Sequence, residues 1–263
     1  VIEDMKSLKK PVIAGNWKMH KTIAEARNLA SEIARKAVDL KEATLILIPP
    51  FTAISEVRKA LEGTEIMVGA QDVFWEDQGA FTGEISPFQL KEAGCELVII
   101  GHSERRQYFS ETDEIVKKKV QAALRHNLIP IVCIGETLEE REKGQTLQKI
   151  TTQLEQSIFT LSGDDFQKII LAYEPIWAIG TGRNATPEQA EEVHSFIRNL
   201  IAHKYGKSLA SYAIILYGGS VKPANSSSLS REKDINGFLV GGASLEAESF
   251  LAIAREALRR NEE

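Results

Sequence analysis

The stretch "IILAYEP", residues 169–175, is a short apolar run that stops on a carboxylate, Glu174, with a proline directly behind it. Seven other runs share its build: "PVIAGNW" (11–17), "ATLILIPP" (43–50), "EIMVGAQ" (65–71), "LVIIGHS" (97–103), "IPIVCIGE" (129–136), "AIILYGGS" (213–220) and "GFLVGGAS" (237–244). Each is rich in Ile, Val and Leu without clean alternation of apolar and polar residues. That pattern suits strands buried on both faces, as in a parallel sheet. Longer stretches with helical spacing separate them. In "IAEARNLASEIARKAVDL" (23–40), Leu29, Ile33, Ala37 and Leu40 fall largely on one stripe. In "TPEQAEEVHSFIRNLIAHKYG" (186–206), Thr186 is placed as N-cap, Pro187 at the first helical position and Gln189 for a capping box, with Gly206 to close the helix. Eight strands alternating with helices, with no linker composition between them, predict an α/β protein of one domain, a (β/α)₈ barrel over residues 11–263 behind a polar lead-in at 1–10. A doubly wound open sheet is the rival, but it usually has fewer strands, and no GxGxxG follows the first strand.

Bulk composition fits this reading. Of 263 residues, 43% are apolar and 26% charged, which suits a globular chain with a sizeable core. The net charge of −5, without a long single-sign block, argues against a nucleic-acid or acidic-membrane binder. No apolar run approaches the ~18 residues of a membrane span and no secretory h-region opens the given sequence, so neither export nor membrane spanning is expected. Cys95 and Cys133 lack metal-ligand spacing; reduced, buried thiols of a cytoplasmic protein are expected rather than a disulfide.

Chemistry in such barrels sits at the C-terminal ends of the strands. The residues there are Asn16 and Lys18, Gln71, His102, Glu136, Glu174, Ser220, and the pair Gly241 and Gly242. An amine, an imidazole and a carboxylate thus end three separate strands. Taken singly, each has an ordinary alternative: a solvated loop carboxylate, a capped structural histidine, a surface lysine. His20, His126, His194 and His203 fall away from strand ends and are read as structural.

The motifs "AGNWKMH" (14–20), "GAFTGEIS" (79–86), "GHSERR" (101–106), "CIGETLEERE" (133–142), "AYEPIWAIGTG" (172–182), "ATPEQA" (185–190), "YGGSVKP" (217–223) and "VGGASL" (240–245) resemble triosephosphate isomerase. They run in register from Pro11 to the final helix. The resemblance implies a TIM barrel acting in glycolysis and gluconeogenesis. Such an isomerase interconverts dihydroxyacetone phosphate and D-glyceraldehyde 3-phosphate through an enediolate, with no metal or organic cofactor. In that family, itself a standard worked example of tuned acid–base chemistry, Glu174 would be the general base and His102 a neutral electrophile. Lys18 would stabilise the oxyanion and the substrate phosphate, with Glu104 in support. Asn16, Lys18, Gly180, Ser220, Gly241 and Gly242 would bind substrate, a helix opening after the last two glycines to aim its amides at phosphate.

The residues between "PIW" (175–177) and Arg183–Ala185 would form a lid. The aromatic loop "DVFWEDQGAFTGEISPFQL" (72–90) would reach a second subunit, placing Thr82 near the partner's Asn16 and Lys18, with Glu84 and Arg105 as a bracing ion pair. A homodimer at least is implied, with a tetramer open. Two rivals stand beside this reading: an isomerase of a larger sugar phosphate and a non-catalytic phosphate-binding barrel. The serine-rich "ANSSSLSREKDINGF" (224–238) has low helix propensity, and the lead-in with its start at Val1 is what a chain cut from a fusion with another glycolytic enzyme would show.

Overall fold

In the computed structural model, which describes residues 8–179 and 185–259, each of the eight apolar runs forms one strand. They are β1 (Val12–Asn16), β2 (Thr44–Ile48), β3 (Met67–Ala70), β4 (Leu97–Ile100), β5 (Ile129–Ile134), β6 (Ile170–Tyr173), β7 (Ile214–Tyr217) and β8 (Gly237–Val240). All pairs are parallel and follow chain order, and β8 returns to β1 with Val12 opposite Gly237, so the sheet closes into a barrel. Helix α1 (Ile23–Lys36) follows β1, α2 (Ile54–Ala60) follows β2 and α3 (Pro87–Glu92) follows β3. After β4 come α4 (Ser103–Tyr108) and α5 (Asp113–Arg125), and after β5 come α6 (Leu138–Glu142), α7 (Thr146–Ser157) and α8 (Gly163–Phe166). The set ends with α9 (Pro187–Tyr205) and α10 (Lys207–Tyr212) after β6, α11 (Pro223–Ser230) after β7 and α12 (Ala247–Leu258) after β8.

Burial on both strand faces explains why the runs do not alternate. Val12, Ala14, Ile46, Ile48, Ile99, Ile131, Cys133, Ala172 and Leu216 belong to the packed barrel interior. Their sequence neighbours Ile13, Leu47, Val98, Ile100, Val132, Leu171 and Ile215 face outward and join the helices in a second core layer. Alternate residues therefore serve two cores, and both must be apolar. Leu8, from the polar lead-in, packs against the interior layer; residues 1–7 lie outside the described residues.

The capping signals are realised. Thr186 accepts from the Gln189 amide at 3.2 Å while the Gln189 side chain accepts from the Thr186 amide at 3.0 Å, and Gly206 ends α9 at φ 92°. Helix α1 stops at Lys36, so Ala37 is its cap and Leu40 is buried beyond its end rather than on its stripe. The serine-rich segment does form a helix, α11. Pro223 opens it, and the hydroxyls of Ser226, Ser228 and Ser230 donate to the carbonyls of Pro223, Asn225 and Ser227. Packing against α12 supplies what propensity lacks.

Candidate active site

At the C-terminal ends of the strands lies a cavity of about 640 Å³. Lys18, His102 and Glu174, which leave β1, β4 and β6, all line it, together with Asn16, Glu104, Ser220, Gly241 and Gly242. Three residues separated by up to 156 positions in sequence are thus brought to one mouth by barrel closure. Ile179, from the expected lid segment, lines it too, as do Leu239, Lys222 and Ser249, which sequence reasoning missed. Leu239 lies within a strand run and Lys222 in a polar turn, so neither carried a local signal.

Glu174 is almost wholly buried. Its Oε2 accepts from the Ser103 amide at 3.0 Å and its Oε1 lies 2.9 Å from His102 Nε2. Burial alone would raise its pKa, but the charge and hydrogen bond of His102, the Ser103 amide and Lys18 outweigh this, holding Glu174 below the ordinary carboxylate value. His102 is also buried, which lowers its pKa, yet the facing Glu174 carries it above the ordinary imidazole value. The ring's other nitrogen, Nδ1, accepts from the Glu104 amide at 3.2 Å, a bond that needs an unprotonated Nδ1. His102 is therefore the N-cap of α4. Ser103 is the first residue of the helix, and its free amide goes to Glu174.

Glycine makes room for the carboxylate. A Cβ on Gly218 would stand 2.8 Å from Glu174 Cγ, and one on Gly135 would stand 1.8 Å from the Glu174 carbonyl oxygen. The first glycine of "YGGS" is thus required by the packing of Glu174, a role apart from phosphate. Cys133, fully buried on β5 near Glu174, has its pKa pushed well up by burial and by that charge, so its sulfur stays a thiol.

Lys18 has φ 51°, the left-handed region, which costs a non-glycine residue about 1–2 kcal/mol. Its amide donates to Asn16 Oδ1 at 3.0 Å and its Nζ to Glu104 Oε1 at 2.6 Å. Across the mouth, Gly241 precedes a single 3₁₀ turn, Gly242–Leu245, and α12 begins only at Ala247. The helix expected to start directly after the glycines is this shorter turn, because the carbonyl of Gly241 turns back to accept from Ser244. Gly180, Arg183 and most of the expected lid lie outside the described residues.

The triosephosphate isomerase family model matches residues 11–257. Triosephosphate isomerase of Caldanaerobacter subterraneus subsp. tengcongensis is 55% identical over 246 residues, which cover 94% of this chain and 99% of that protein. Those of Thermoanaerobacter pseudethanolicus and Citrifermentans bemidjiense are each 54% identical with the same coverage. The chain belongs to the triosephosphate isomerase family.

Around the mouth, several features of this family member were only partly foreseen. Glu136, wholly buried at the end of β5, accepts from Trp177 Nε1 at 2.8 Å, Tyr173 Oη at 3.1 Å and Arg141 at 3.3 Å, tying the start of the expected lid to the barrel. Arg105, expected to pair with Glu84, has its Nε on Asp72 at 2.9 Å and on Glu111 at 2.5 Å, with Glu84 adding a more distant charge. Lys119, also buried, completes the cluster through Asp72 and Glu111. Thr82 is exposed on the loop after β3. Of the other histidines, His194 is buried with its pKa pushed down to about 3, His126 pairs with Asp77 at 2.8 Å, and His20 and His203 are exposed. Among the described residues no group of three or more His, Cys, Asp or Glu side chains is placed to hold a metal.

Proposed function

We propose that this protein interconverts dihydroxyacetone phosphate and D-glyceraldehyde 3-phosphate, with Glu174, His102 and Lys18 as its catalytic residues. The reading rests on one observation above the rest: an amine, an imidazole and a buried carboxylate share one cavity with a serine and two glycines fit to hold a phosphate. Glu174 takes a proton from C1 of the ketose and returns it to C2. His102 donates its Nε2 proton to the C2 carbonyl oxygen and takes one back from the C1 hydroxyl, and the ammonium of Lys18 offsets the charge that develops on the enediolate. Backbone amides at Ser220, Gly241 and Gly242 hold the phosphate, joined by Gly180.

The resting contacts of Glu174 give a reason for its activation. Burial pushes its basicity up and only its hydrogen bonds and facing charges hold it down. A substrate that draws the carboxylate off the Ser103 amide and the imidazole leaves burial to dominate, and the base strengthens where it is needed. The same move takes away the charge that raises the pKa of His102, which leaves burial and the Glu104 amide to keep the ring neutral. The apolar walls at Ile179 and Leu239 limit water around the intermediate.

A coupled assay that reduces dihydroxyacetone phosphate as it forms from glyceraldehyde 3-phosphate tests the activity. Glu174→Gln is expected to lower kcat by at least about 100-fold. A wild-type protein without turnover, or one that prefers a longer sugar phosphate, would overturn the reading.

We further infer a cytoplasmic homodimer formed through the loop after β3. Met19, next to Lys18, is 94% exposed and Phe81, on that loop, is 43% exposed, and exposed apolar side chains favour a covering partner. The loop is organised beforehand on its own protomer: Phe74 stacks on Trp75 at 4.0 Å, and Arg125 donates to the Trp75 carbonyl at 3.1 Å. The compartment is supported by the two free, buried thiols. Light scattering should give twice the chain mass or more, and a monomer at micromolar concentration would contradict this.

A further inference from the structure

We propose that Gln71 is a positioning residue that holds Lys18 in its left-handed conformation and so aims the ammonium into the mouth; this rests on the role given to Lys18 above. The Gln71 side-chain amide donates from Nε2 to the Lys18 carbonyl at 2.7 Å and to the Ile48 carbonyl at 3.2 Å. Ile48 ends β2, and its carbonyl also accepts from the Trp17 amide at 3.0 Å. One side chain from the exit of β3 thus ties the loop after β1 to the end of β2.

The three polar groups of Lys18 are each held by a different residue. Asn16 takes its amide, Glu104 its ammonium and Gln71 its carbonyl. The contact to Glu104 is made by the group that has to serve the substrate. It exchanges when an anionic ligand enters, so it cannot fix the backbone during turnover. The Gln71 bond involves only the carbonyl and persists whatever the ammonium does. Lys18 at φ 51° has no glycine-like freedom, and without an opposing donor it would relax toward negative φ and swing its Cα–Cβ bond away from the cavity.

Gln71 is itself firmly placed. It follows β3 directly, and the next residue, Asp72, is buried in the ion cluster, with Lys119 Nζ at 2.7 and 2.9 Å from its two oxygens and Arg105 Nε at 2.9 Å. A strand on one side and an ion clamp on the other leave its backbone little play. The residue type is also dictated. Two carbonyls need a neutral NH₂ with two protons; a carboxylate of the same length offers only acceptors, and asparagine is one methylene short.

The test is a double-mutant cycle in the coupled isomerase assay with Lys18→Met, Gln71→Met and both together. Gln71→Met is expected to lower kcat/KM by about 10- to 100-fold, the loss typical of a misaimed catalytic group. In the Lys18→Met background the same change should cost less than about threefold, because the residue it acts on is gone. Wild-type kcat/KM in Gln71→Met, or losses that multiply in full in the double variant, would overturn the proposal. Wild-type kcat/KM in Lys18→Met would instead remove the role of Lys18 on which the proposal stands. Gln71→Glu gives a second readout that general destabilisation would not move. Its kcat/KM relative to wild type should climb as pH falls toward the carboxylate range and the introduced group regains a donor proton. A ratio that stays flat with pH counts against the hydrogen bond.

Discussion

His102 Nε2 lies 2.9 Å from Glu174 Oε1, so the candidate electrophile and the candidate base are each other's partner in the resting protein. Glu174 carries the imidazole above its ordinary pKa, against burial, and the imidazole helps carry Glu174 below its own. Replacing the carboxylate by an amide removes the charge and leaves the burial. In Glu174→Gln the His102 ring should therefore titrate at lower pH than in wild type, read from its imidazole resonances by NMR. An unchanged midpoint would show that Glu174 is not what raises it.

Asp72 is pushed up to about 6 by burial, with Glu111 adding to the shift and Lys119 and Arg105 opposing it. A carboxyl that binds its proton more tightly folded than unfolded makes stability fall as pH rises from about 4 to about 6. Asp72→Asn has no such proton to lose. Its stability relative to wild type should improve by about 2 kcal/mol between pH ~4.5 and ~7, measured by urea unfolding at both. Curves that stay parallel would deny the shift.

Glu136 is acceptor to three donors and has no solvent to fall back on. Glu136→Leu strands the Arg141 charge and the Tyr173 hydroxyl, a loss of about 3–5 kcal/mol in unfolding free energy. Trp177→Phe removes one of the three bonds, for about 1–2 kcal/mol. If the two variants cost the same in denaturant melts, the carboxylate is not the hub.

Gly218 leaves the space that Glu174 Cγ occupies. Gly218→Ala should displace the base and lower kcat by about 10- to 100-fold with a smaller change in KM. Retention of wild-type kcat would mean that Glu174 does not depend on that space in the working enzyme.

The eight strands were legible because a parallel barrel needs apolar side chains on both faces, which leaves unbroken runs such as "IILAY" and "IPIVCI" in the chain. Thr186, Pro187 and Gly206 marked the bounds of α9 for similarly local reasons. Lys18, His102 and Glu174 could be picked out because each directly follows such a run. Helix α11 was harder to foresee: its serines look unfavourable singly, and packing on α12 overrides them. Leu239 gave no sign, since an apolar residue within an apolar run looks the same whether it fills a core or walls a cavity.

Sequence by itself determined which segments become strands and helices, and which residues stand at strand tips, because backbone capping and strand burial are decided within a few residues. Tertiary structure alone decided who meets whom. It put Ser103's amide and His102 on Glu174, replaced the expected Glu84 partner of Arg105 with Asp72 and Glu111, and laid Gln71 on the Lys18 carbonyl. Apart from Arg105–Glu111, those contacts join residues dozens of positions apart, and their distances follow from how the barrel closes, a property of all eight strands that no single stretch contains.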